Sequence, residues 1–267
     1  MAMFGFIGVG NMGSAILKAT CKTFGKDEIV FYDASKEKCA LISNQFNISS
    51  EINNTAVINN CKYLVLAIKP QYFSEVLEEI KDLVTPEHIV VSIAAGVKIE
   101  TIKSALGSEI RVVRAMPNTP ALIFKGSTGV SFSSDNYSKT ELSQLDLFFQ
   151  SFGKYDVLNE NLMNAITCAS GSSPAYVYTF IEALADSVVS LGIPRDKAYT
   201  LVAQTVMGAA SMVMETGEHP GVLKDQVCSP GGTTIAGIKA LEENGFRNAI
   251  MKATDACYKR AEELSKN

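Results

Sequence analysis

The sequence contains no tryptophan, only two histidines and no two cysteines in a C-x-x-C arrangement. The six cysteines are scattered singly, and the histidines, His88 and His219, are far apart in the chain. Zinc sites and disulfide frameworks depend on clustered or regularly spaced ligands. We therefore expect no metal site and no disulfide scaffold, and thiols that stay reduced in the cytoplasm.

Charge is scarce as well, and basic charge in particular. Only 19% of the 267 residues are charged, the formal net charge is −4, and the charges are interspersed along the chain. Binding to nucleic acids or to anionic membrane surfaces needs clustered lysine and arginine. We expect neither partner, and a small molecule or another protein instead.

Long hydrophobic runs are also missing. A membrane-spanning helix needs about 20 consecutive apolar residues. The apolar stretch "AYVYTFIEALADSVVSLGI" is interrupted by Glu182 and Asp186, and the opening "MAMFGFIGVG" lacks the positive charge that begins a secretion signal. The sequence predicts no membrane span and no signal peptide, which again favours the cytoplasm.

The first part of the chain, up to Val157, alternates short apolar runs with helical patterns. The runs are "MFGFIG", "EIVFYD", "KYLVLAIK", "HIVVSIAA", "IRVVRAM" and "STGVSFS". Several lack polar alternation, as is typical of strands that are covered on both faces. We predict a Rossmann-like, doubly wound α/β domain over residues 1–157.

The second part, residues 158–267, has long periodic segments separated by prolines and no strand pattern, which predicts an all-α domain. Two of its helices, around "AYVYTFIEALADSVVSLG" and "KAYTLVAQTVMGAASMVMETG", are apolar on more than one face. An ordinary surface helix has one apolar stripe. The pattern favours a subunit interface over the alternative of a well-packed monomer core.

A glycine motif follows the first predicted strand. In "FGFIGVGNMGSAI", Gly8, Gly10 and Gly13 have the G-x-G-x-x-G spacing and precede a helix. This context predicts a tight turn, close approach of a pyrophosphate and close helix packing. The motif indicates a dinucleotide site, with a purely structural turn as the alternative.

The residues that end the second predicted strand do not decide between NAD and NADP. Asp33 lies there, where an acidic residue usually bonds the adenosine ribose and favours NAD over NADP. However, Ser35, Lys36 and Lys38 follow directly and could hold a 2′-phosphate. Asp33 could also serve only as the N-cap of the next helix.

Three further loops each follow a predicted strand: "LAIKP", "SIAAG" and "MPNTP". Ligands of open parallel sheets bind outside the carboxyl ends of the strands. We expect the three loops to line one crevice at the nicotinamide end of the site, although each of them alone reads equally well as a strand-ending turn.

A second glycine-rich turn, "SPGGTTIAGIKALEENG", opens a predicted helix near Thr233. The first N–H groups of a helix have no intrahelical partner, and flexible glycines before them make a site for a carboxylate without a basic side chain. Capping alone explains one Ser or Thr, but it does not require two glycines as well.

The chain resembles the pyrroline-5-carboxylate reductase family over nearly its whole length. The matching segments are "FIGVGNMGSAI", "LAIKPQ", "VVSIAAGV", "RVVRAMPNTP", "ASGSSPAYVY", "HPGVLKDQVCSPGGTTIAGI" and "LEENGFRNAIMKA". The resemblance implies reduction of 1-pyrroline-5-carboxylate to L-proline with NADPH or NADH. It also implies a homodimer built through the helical domain, with further assembly of five dimers into a decamer.

The resemblance also implies roles for individual residues. The residues implied for the cofactor are Ile7, Gly8, Val9, Gly10, Asn11 and Met12 at the pyrophosphate, Asp33 at the adenosine ribose region, Asn53 at the adenine-side ribose, Ala67, Ile68, Lys69, Pro70, Ile93, Ala94 and Ala95 beside the cofactor, and Asn118 near the nicotinamide. The residues implied for the substrate are Ser229, Gly231, Gly232, Thr233 and Thr234 at the carboxylate, with Glu160 nearby. The Thr234 hydroxyl is implied to reach the ring nitrogen, which makes Thr234 the expected catalytic residue.

Two other functions fit the first glycine loop. A β-hydroxyacid-type dehydrogenase needs a catalytic lysine on a helix, and "ASGSSPAYVYTFIE" supplies none. A non-catalytic NAD(P)-sensing protein has no use for the second glycine turn. His219 and Lys69 are alternative proton donors, but their positions are more typical of a helix-flanking surface residue and a cofactor-contacting lysine.

Overall fold

The computed structural model describes residues 2–265, which form two compact units. The first unit comprises residues 2–172 and 257–265, and the second comprises Ser173–Ala256. The last strand ends at Val157, where the sequence places the domain boundary, and the segment 158–172 packs with the first unit.

Within residues 2–265, the first unit is built on one seven-stranded sheet with the order β2-β1-β3-β4-β5-β6-β7. The strands are β1 (Ala2–Ile7), β2 (Ile29–Tyr32), β3 (Cys61–Leu66), β4 (Ile89–Ser92), β5 (Arg111–Met116), β6 (Gly126–Phe132) and β7 (Gly153–Val157). All neighbouring strands are parallel except β5 and β6. The predicted Rossmann-like, doubly wound fold is confirmed.

Two features of the sheet were not anticipated by the apolar runs. The pair β5 and β6 is antiparallel because the segment 117–125 is too short for a parallel crossover, which takes a dozen or more residues. The edge strand β7 has no apolar run, since exposed Lys154 and Asp156 flank the half-buried Tyr155, whose ring packs on Phe149. Edge strands with charged residues avoid further pairing.

Helices cover both faces of the sheet. The helices of the first unit that precede residue 172 are α1 (Asn11–Phe24), α2 (Lys36–Phe46), α3 (Asn54–Asn59), α4 (Phe73–Ile80), α5 (Ile99–Leu106), α6 (Lys139–Ser151) and α7 (Met163–Ile166). One hydrophobic core joins the sheet to α1, α2 and α6, and the other joins it to α3, α4 and α5. The central strands β1 and β3 contribute residues to both cores, as their unbroken apolar runs predict.

The second unit is helical, as predicted. Its helices are α8 (Ser173–Ser190), α9 (Arg195–Thr216), α10 (Pro220–Val227), α11 (Thr233–Glu243) and the first part of α12 (Phe246–Leu264). The C-cap of α9 is Gly217, which is left-handed with a φ of 68°, and Pro220 opens α10.

This unit buries little of its apolar surface. Over residues 173–256 the buried hydrophobic residues are Ala185, Ala198 and Val202, whereas Leu191 is 80% exposed and Leu201 is 53% exposed. Large exposed apolar surfaces mark interaction sites. A helix long and apolar enough to cross a bilayer does not occur in the part of the chain that the structure describes.

A charged cluster joins the sheet to α6 at the edge of the first unit. Glu141 is buried, and its Oε1 lies 2.9 Å from Lys62 Nζ and 2.9 Å from Arg111 Nη1. Its Oε2 accepts the Ser138 N–H at 2.8 Å, completing a capping box at the start of α6. Burial opposes ionisation, but the hydrogen bonds from Ser138, Lys62 and Arg111 prevail and lower the pKa of Glu141 to about 2.

The substitution Glu141→Gln is expected to destabilise the fold by about 2 kcal/mol at neutral pH, because charge-assisted hydrogen bonds are lost. Since the folded-state pKa lies below the ordinary 4.5, this stabilisation is complete above pH 4.5 and disappears as the pH falls towards about 2. Urea unfolding of both proteins over this pH range measures the difference, and the exposed Glu87→Gln variant is the control. A difference that does not shrink with falling pH contradicts the assignment.

Candidate active site

Two adjoining clefts, with volumes of about 400 Å³ and about 470 Å³, lie at the carboxyl ends of β1, β2, β3 and β4. The first is lined by Ile7, Gly8, Gly10, Tyr32, Asp33, Ala34, Ser35, Lys38, Asn54, Ala67, Ile68, Lys69, Tyr72 and Val76. The second is lined by Gly10, Asn11, Met12, Gly13, Lys38, Ala67, Ile68, Lys69, Pro70, Ile93, Ala94 and Ala95. Strand β1 lies between β2 and β3, so the order of the strands reverses here, and ligands of open α/β sheets bind at such a switch point.

The glycine loop after β1 has the backbone geometry that its spacing predicts. Gly8 has a φ of 92°, and a Cβ there would lie 2.7 Å from the Ala67 carbonyl oxygen. A Cβ at Gly13 would lie 2.5 Å from the Gly8 carbonyl oxygen, so Gly13 permits α1 to pack on the loop. No heavy atom of the described chain lies within 4 Å of a Cβ at Gly10. That opening is where a ligand can approach the backbone.

The N-terminus of α1 faces this loop without a capping side chain. Gly10 is the N-cap residue and makes no side-chain hydrogen bond. The first N–H groups of a helix lack intrahelical acceptors and carry a partial positive charge. The residues of the first turn, Asn11, Met12 and Gly13, line the second cleft. The donor set therefore fits the pyrophosphate of a dinucleotide.

Asp33 is fixed by the backbone on both sides. Its Oδ2 accepts the Val9 N–H at 2.9 Å, and its Oδ1 accepts the Ser35 N–H at 2.9 Å. The N-cap of α2 is Ser35, whose hydroxyl accepts the Lys38 N–H, so Asp33 does not have the capping role that the sequence left open. The carboxylate thus ties β2 to the glycine loop, and it lines the first cleft.

Lys38 is the basic residue nearest to this carboxylate. Its Nζ lies 3.8 Å from Asp33 Oδ1, its side chain is 53% exposed, and it lines both clefts. Lys36 lines neither cleft. Of the two lysines predicted as possible ligands of a 2′-phosphate, only Lys38 lines the clefts.

The neighbouring residues Asn53 and Asn54 have different surroundings, which the sequence did not predict. Asn53 is exposed, and its side chain caps α3 by accepting the Ala56 N–H at 2.8 Å. Asn54 is buried and lines the first cleft; its Nδ2 donates to Glu79 at 2.9 Å, but its Oδ1 has no partner in residues 2–265. A buried acceptor without a partner fits a ligand hydroxyl or amino group. Only the cap geometry of α3 reveals which asparagine points inward.

Asn118 lies outside the two clefts. Its Nδ2 donates to the Ser170 carbonyl oxygen at 3.0 Å, and its Oδ1 accepts the Ser127 N–H at 2.9 Å. Both polar atoms of this side chain are thus engaged in joining the turn after β5 to β6 and to the π-helix Thr167–Gly171. Its predicted place near the nicotinamide stays a prediction.

Glu160 also lies outside the two clefts. Its carboxylate accepts hydrogen bonds from the Ile99 N–H and from Arg114. The predicted contact with substrate stays a prediction.

The second glycine turn lies in the second unit and has the same kind of geometry as the first. Gly231 has a φ of 68°, and the Gly232 N–H donates to the Ser229 carbonyl oxygen at 3.0 Å. Gly232 is the N-cap of α11 and makes no side-chain capping bond. This arrangement leaves the first N–H groups of α11 for an anion.

Three hydroxyl groups surround the start of α11. Ser229 and Thr233 are exposed and Thr234 is partly exposed, and none of their hydroxyls makes a hydrogen bond to another described residue. Each is able to donate or accept. His219, by contrast, accepts the Gly221 N–H at 3.0 Å as the N-cap of α10, which is the helix-flanking position expected for it.

Family models match both parts of the chain. Residues 160–264 match the model described as pyrroline-5-carboxylate reductase dimerisation. Residues 3–96 match the model described as NADP oxidoreductase, coenzyme F420-dependent. The second part of the chain is therefore similar to a known dimerisation domain, in agreement with its exposed apolar helices.

Two relatives that match over nearly the whole chain have the same name. The pyrroline-5-carboxylate reductase of Escherichia coli (strain K12) is 44% identical over 266 residues, covering 98% of each chain. That of Methanosarcina acetivorans is 41% identical, covering 98% of this chain and 97% of the relative.

Solved structures agree with these relatives. A pyrroline-5-carboxylate reductase from Coxiella burnetii superimposes with a TM-score of 0.91 at 34% identity, covering 100% of this chain and 99% of the other. The Plasmodium falciparum pyrroline carboxylate reductase with NADP bound gives a TM-score of 0.88 at 32% identity, covering 99% and 98%. The predicted resemblance is confirmed, and the chain belongs to the pyrroline-5-carboxylate reductase family.

Proposed function

We propose that this protein reduces 1-pyrroline-5-carboxylate to L-proline with NAD(P)H, the last step of proline biosynthesis. The observation that carries the proposal is the pair of uncapped helix N-termini behind glycine turns, at Gly10 and at Gly232. The reaction brings together two anionic groups, a pyrophosphate and an imino-acid carboxylate, and the chain has one such turn for each.

The cofactor is proposed to bind at the carboxyl ends of the strands, with its pyrophosphate at the N-terminus of α1. Asp33, Lys38 and Asn54 contact its adenosine end, since all three side chains line the first cleft. The loops that include Lys69 and Ala95 flank the remainder of the dinucleotide. Bound NAD(P)H supplies the hydride that reduces the C=N bond.

The substrate residues lie at the start of α11. Its N–H groups, with Gly231 and Gly232, bind the carboxylate, and the Thr234 hydroxyl bonds the ring nitrogen. A protonated imine is already electrophilic, so the site needs no strong acid. Catalysis then depends on holding the reactants in position, which can lower a barrier by roughly 7 to 11 kcal/mol.

The two alternative functions, a β-hydroxyacid-type dehydrogenase and an NAD(P) sensor, have less support. Helix α8 carries no lysine, which a β-hydroxyacid-type dehydrogenase requires. A protein that only senses NAD(P) has no need for the turn at Gly231 and Gly232 or for the uncommitted hydroxyls beside it.

The direct test is dinucleotide oxidation by the purified protein with 1-pyrroline-5-carboxylate, with NADPH and NADH compared at equal concentration. Substrate-dependent oxidation supports the reductase. Folded protein that binds dinucleotide but oxidises neither would refute it and favour the sensor.

Lys38→Gln is expected to raise the KM for NADPH about tenfold while changing the KM for NADH little, because a charge-assisted hydrogen bond to a 2′-phosphate is lost. Steady-state kinetics with both dinucleotides measures the effect, and Lys36→Gln, outside the clefts, is the matched control. An equal change for both dinucleotides would exclude a 2′-phosphate contact.

Thr234→Ala is expected to lower kcat roughly ten- to hundredfold through loss of one hydrogen bond to the reacting nitrogen, with the fold intact. Thr234→Ser keeps the hydroxyl and should recover most of the rate. Turnover is measured beside circular dichroism, and unchanged kinetics in the alanine variant removes the proposed role.

The assembly is proposed to be a homodimer, with five dimers forming a decamer. The exposed apolar residues of α8 and α9 support a subunit interface. Light scattering should give twice or ten times the chain mass of 28.7 kDa. A Leu201→Glu variant, which places a charge on that surface, should shift the mass towards the single chain, and an unchanged mass would place the interface elsewhere.

A further inference from the structure

The start of helix α5 is fixed by a residue far away in the sequence. Its N-cap, Lys98, makes no side-chain capping bond, although Ser, Thr, Asp or Asn usually provides one at this position. Instead, the Ile99 N–H donates to Glu160 Oε1 at 2.8 Å, across 61 residues of chain. A carboxylate at a helix N-terminus also interacts favourably with the helix dipole.

Glu160 is itself anchored to the sheet. The same oxygen, Oε1, accepts a hydrogen bond from Arg114 Nη1 at 3.0 Å. The Arg114 side chain is 8% exposed and that of Glu160 is 29% exposed. On strand β5, Arg114 is the register partner of Ser92, the last residue of β4. Losing one member of such a pair leaves a buried charge without its partner.

Between these two anchors runs the loop 93–98, which joins β4 to α5. Its Ile93, Ala94 and Ala95 line the second cleft. The near end of the loop continues from the sheet, where the Ile93 N–H donates to the Leu66 carbonyl oxygen at 3.2 Å. Its far end is the start of α5, which Glu160 holds. The attachments at Ile93 and at Ile99 together fix the position of the wall that this loop forms in the second cleft.

The middle of the loop has a restricted backbone conformation. Gly96 has a φ of 80°, a conformation that other residues rarely adopt. A Cβ at this position would lie 3.4 Å from the Leu264 carbonyl oxygen near the end of α12. The end of α12 therefore lies beside the loop. Only six residues, 93–98, separate Ile99 from the end of β4, so a shift at Ile99 displaces the segment that lines the cleft.

We infer that Glu160 is a positioning residue for the dinucleotide, which acts through Ile99 and Arg114 on the loop 93–98. This inference rests on the proposed dinucleotide site. It differs from a direct contact between Glu160 and the imino acid, because it depends on Oε1, which accepts hydrogen bonds from Ile99 and Arg114, and not on Oε2.

The test measures dinucleotide binding without substrate, so that its outcome does not depend on the proposed reaction. Glu160→Ala should raise the Kd of NADPH and of NADH about tenfold, because the wall of the cleft loses one attachment. Glu160→Gln keeps an oxygen for Ile99 but removes the charge, and should give a smaller rise. Fluorescence titration supplies the Kd, and thermal unfolding reports whether each variant is folded.

Glu100→Gln is the matched control, since Glu100 is an exposed carboxylate in the first turn of the same helix. It should leave the Kd unchanged, which separates the attachment from a general effect of charge on the helix dipole. In turnover assays, Glu160→Gln should raise the KM for the dinucleotide while the KM for 1-pyrroline-5-carboxylate at saturating dinucleotide stays the same.

Two results would overturn the inference. An unchanged Kd with a raised KM for 1-pyrroline-5-carboxylate would assign Glu160 to the substrate. An unchanged Kd with only a lower unfolding temperature would make its role structural. If the wild-type protein binds dinucleotide but does not reduce the imino acid, the proposed function fails, while the Kd comparison still decides the role of Glu160.

Discussion

The fold depends on the burial of the central parallel strands by helices on both of their faces. Alternate residues of β1 and β3 enter opposite hydrophobic cores, so a one-residue shift in register would move their side chains into the wrong core and disrupt the packing of both. Parallel strands all end at the same edge of a sheet. The glycine loop, Asp33, the segment that includes Lys69 and the loop 93–98 therefore line the two adjoining clefts as a direct consequence of the core.

Both proposed anion sites use backbone donors in place of basic side chains. At Gly10 and at Gly232 a glycine takes the N-cap position, and no side chain occupies the first N–H groups of the helix that follows. This device suits a chain with few charges, because it binds an anion without burying a lysine or arginine. It also makes the geometry of the turn, more than the identity of its side chains, responsible for binding.

The sequence predicted the features that depend on local patterns. The unbroken apolar runs identified six strands, and glycine spacing located both turns, because each signal lies within a few consecutive residues. The features that it missed depend on distant partners. Edge strand β7 is polar and is recognised only by its pairing with β6. Asn54 lines the first cleft while Asn53 caps α3, and Glu160 reaches Ile99 across 61 residues; the predicted contact of Asn53 with the ribose stays a prediction.

The small core of the second unit affects how the protein becomes stable. With Ala185, Ala198 and Val202 as its buried hydrophobic residues, this unit gains little free energy from packing within one chain. In the proposed dimer, the partner subunit covers the exposed apolar residues of this unit. By mass action, its resistance to unfolding then rises with the concentration of the protein itself, so a dilute, newly made chain is much more fragile than the assembled enzyme.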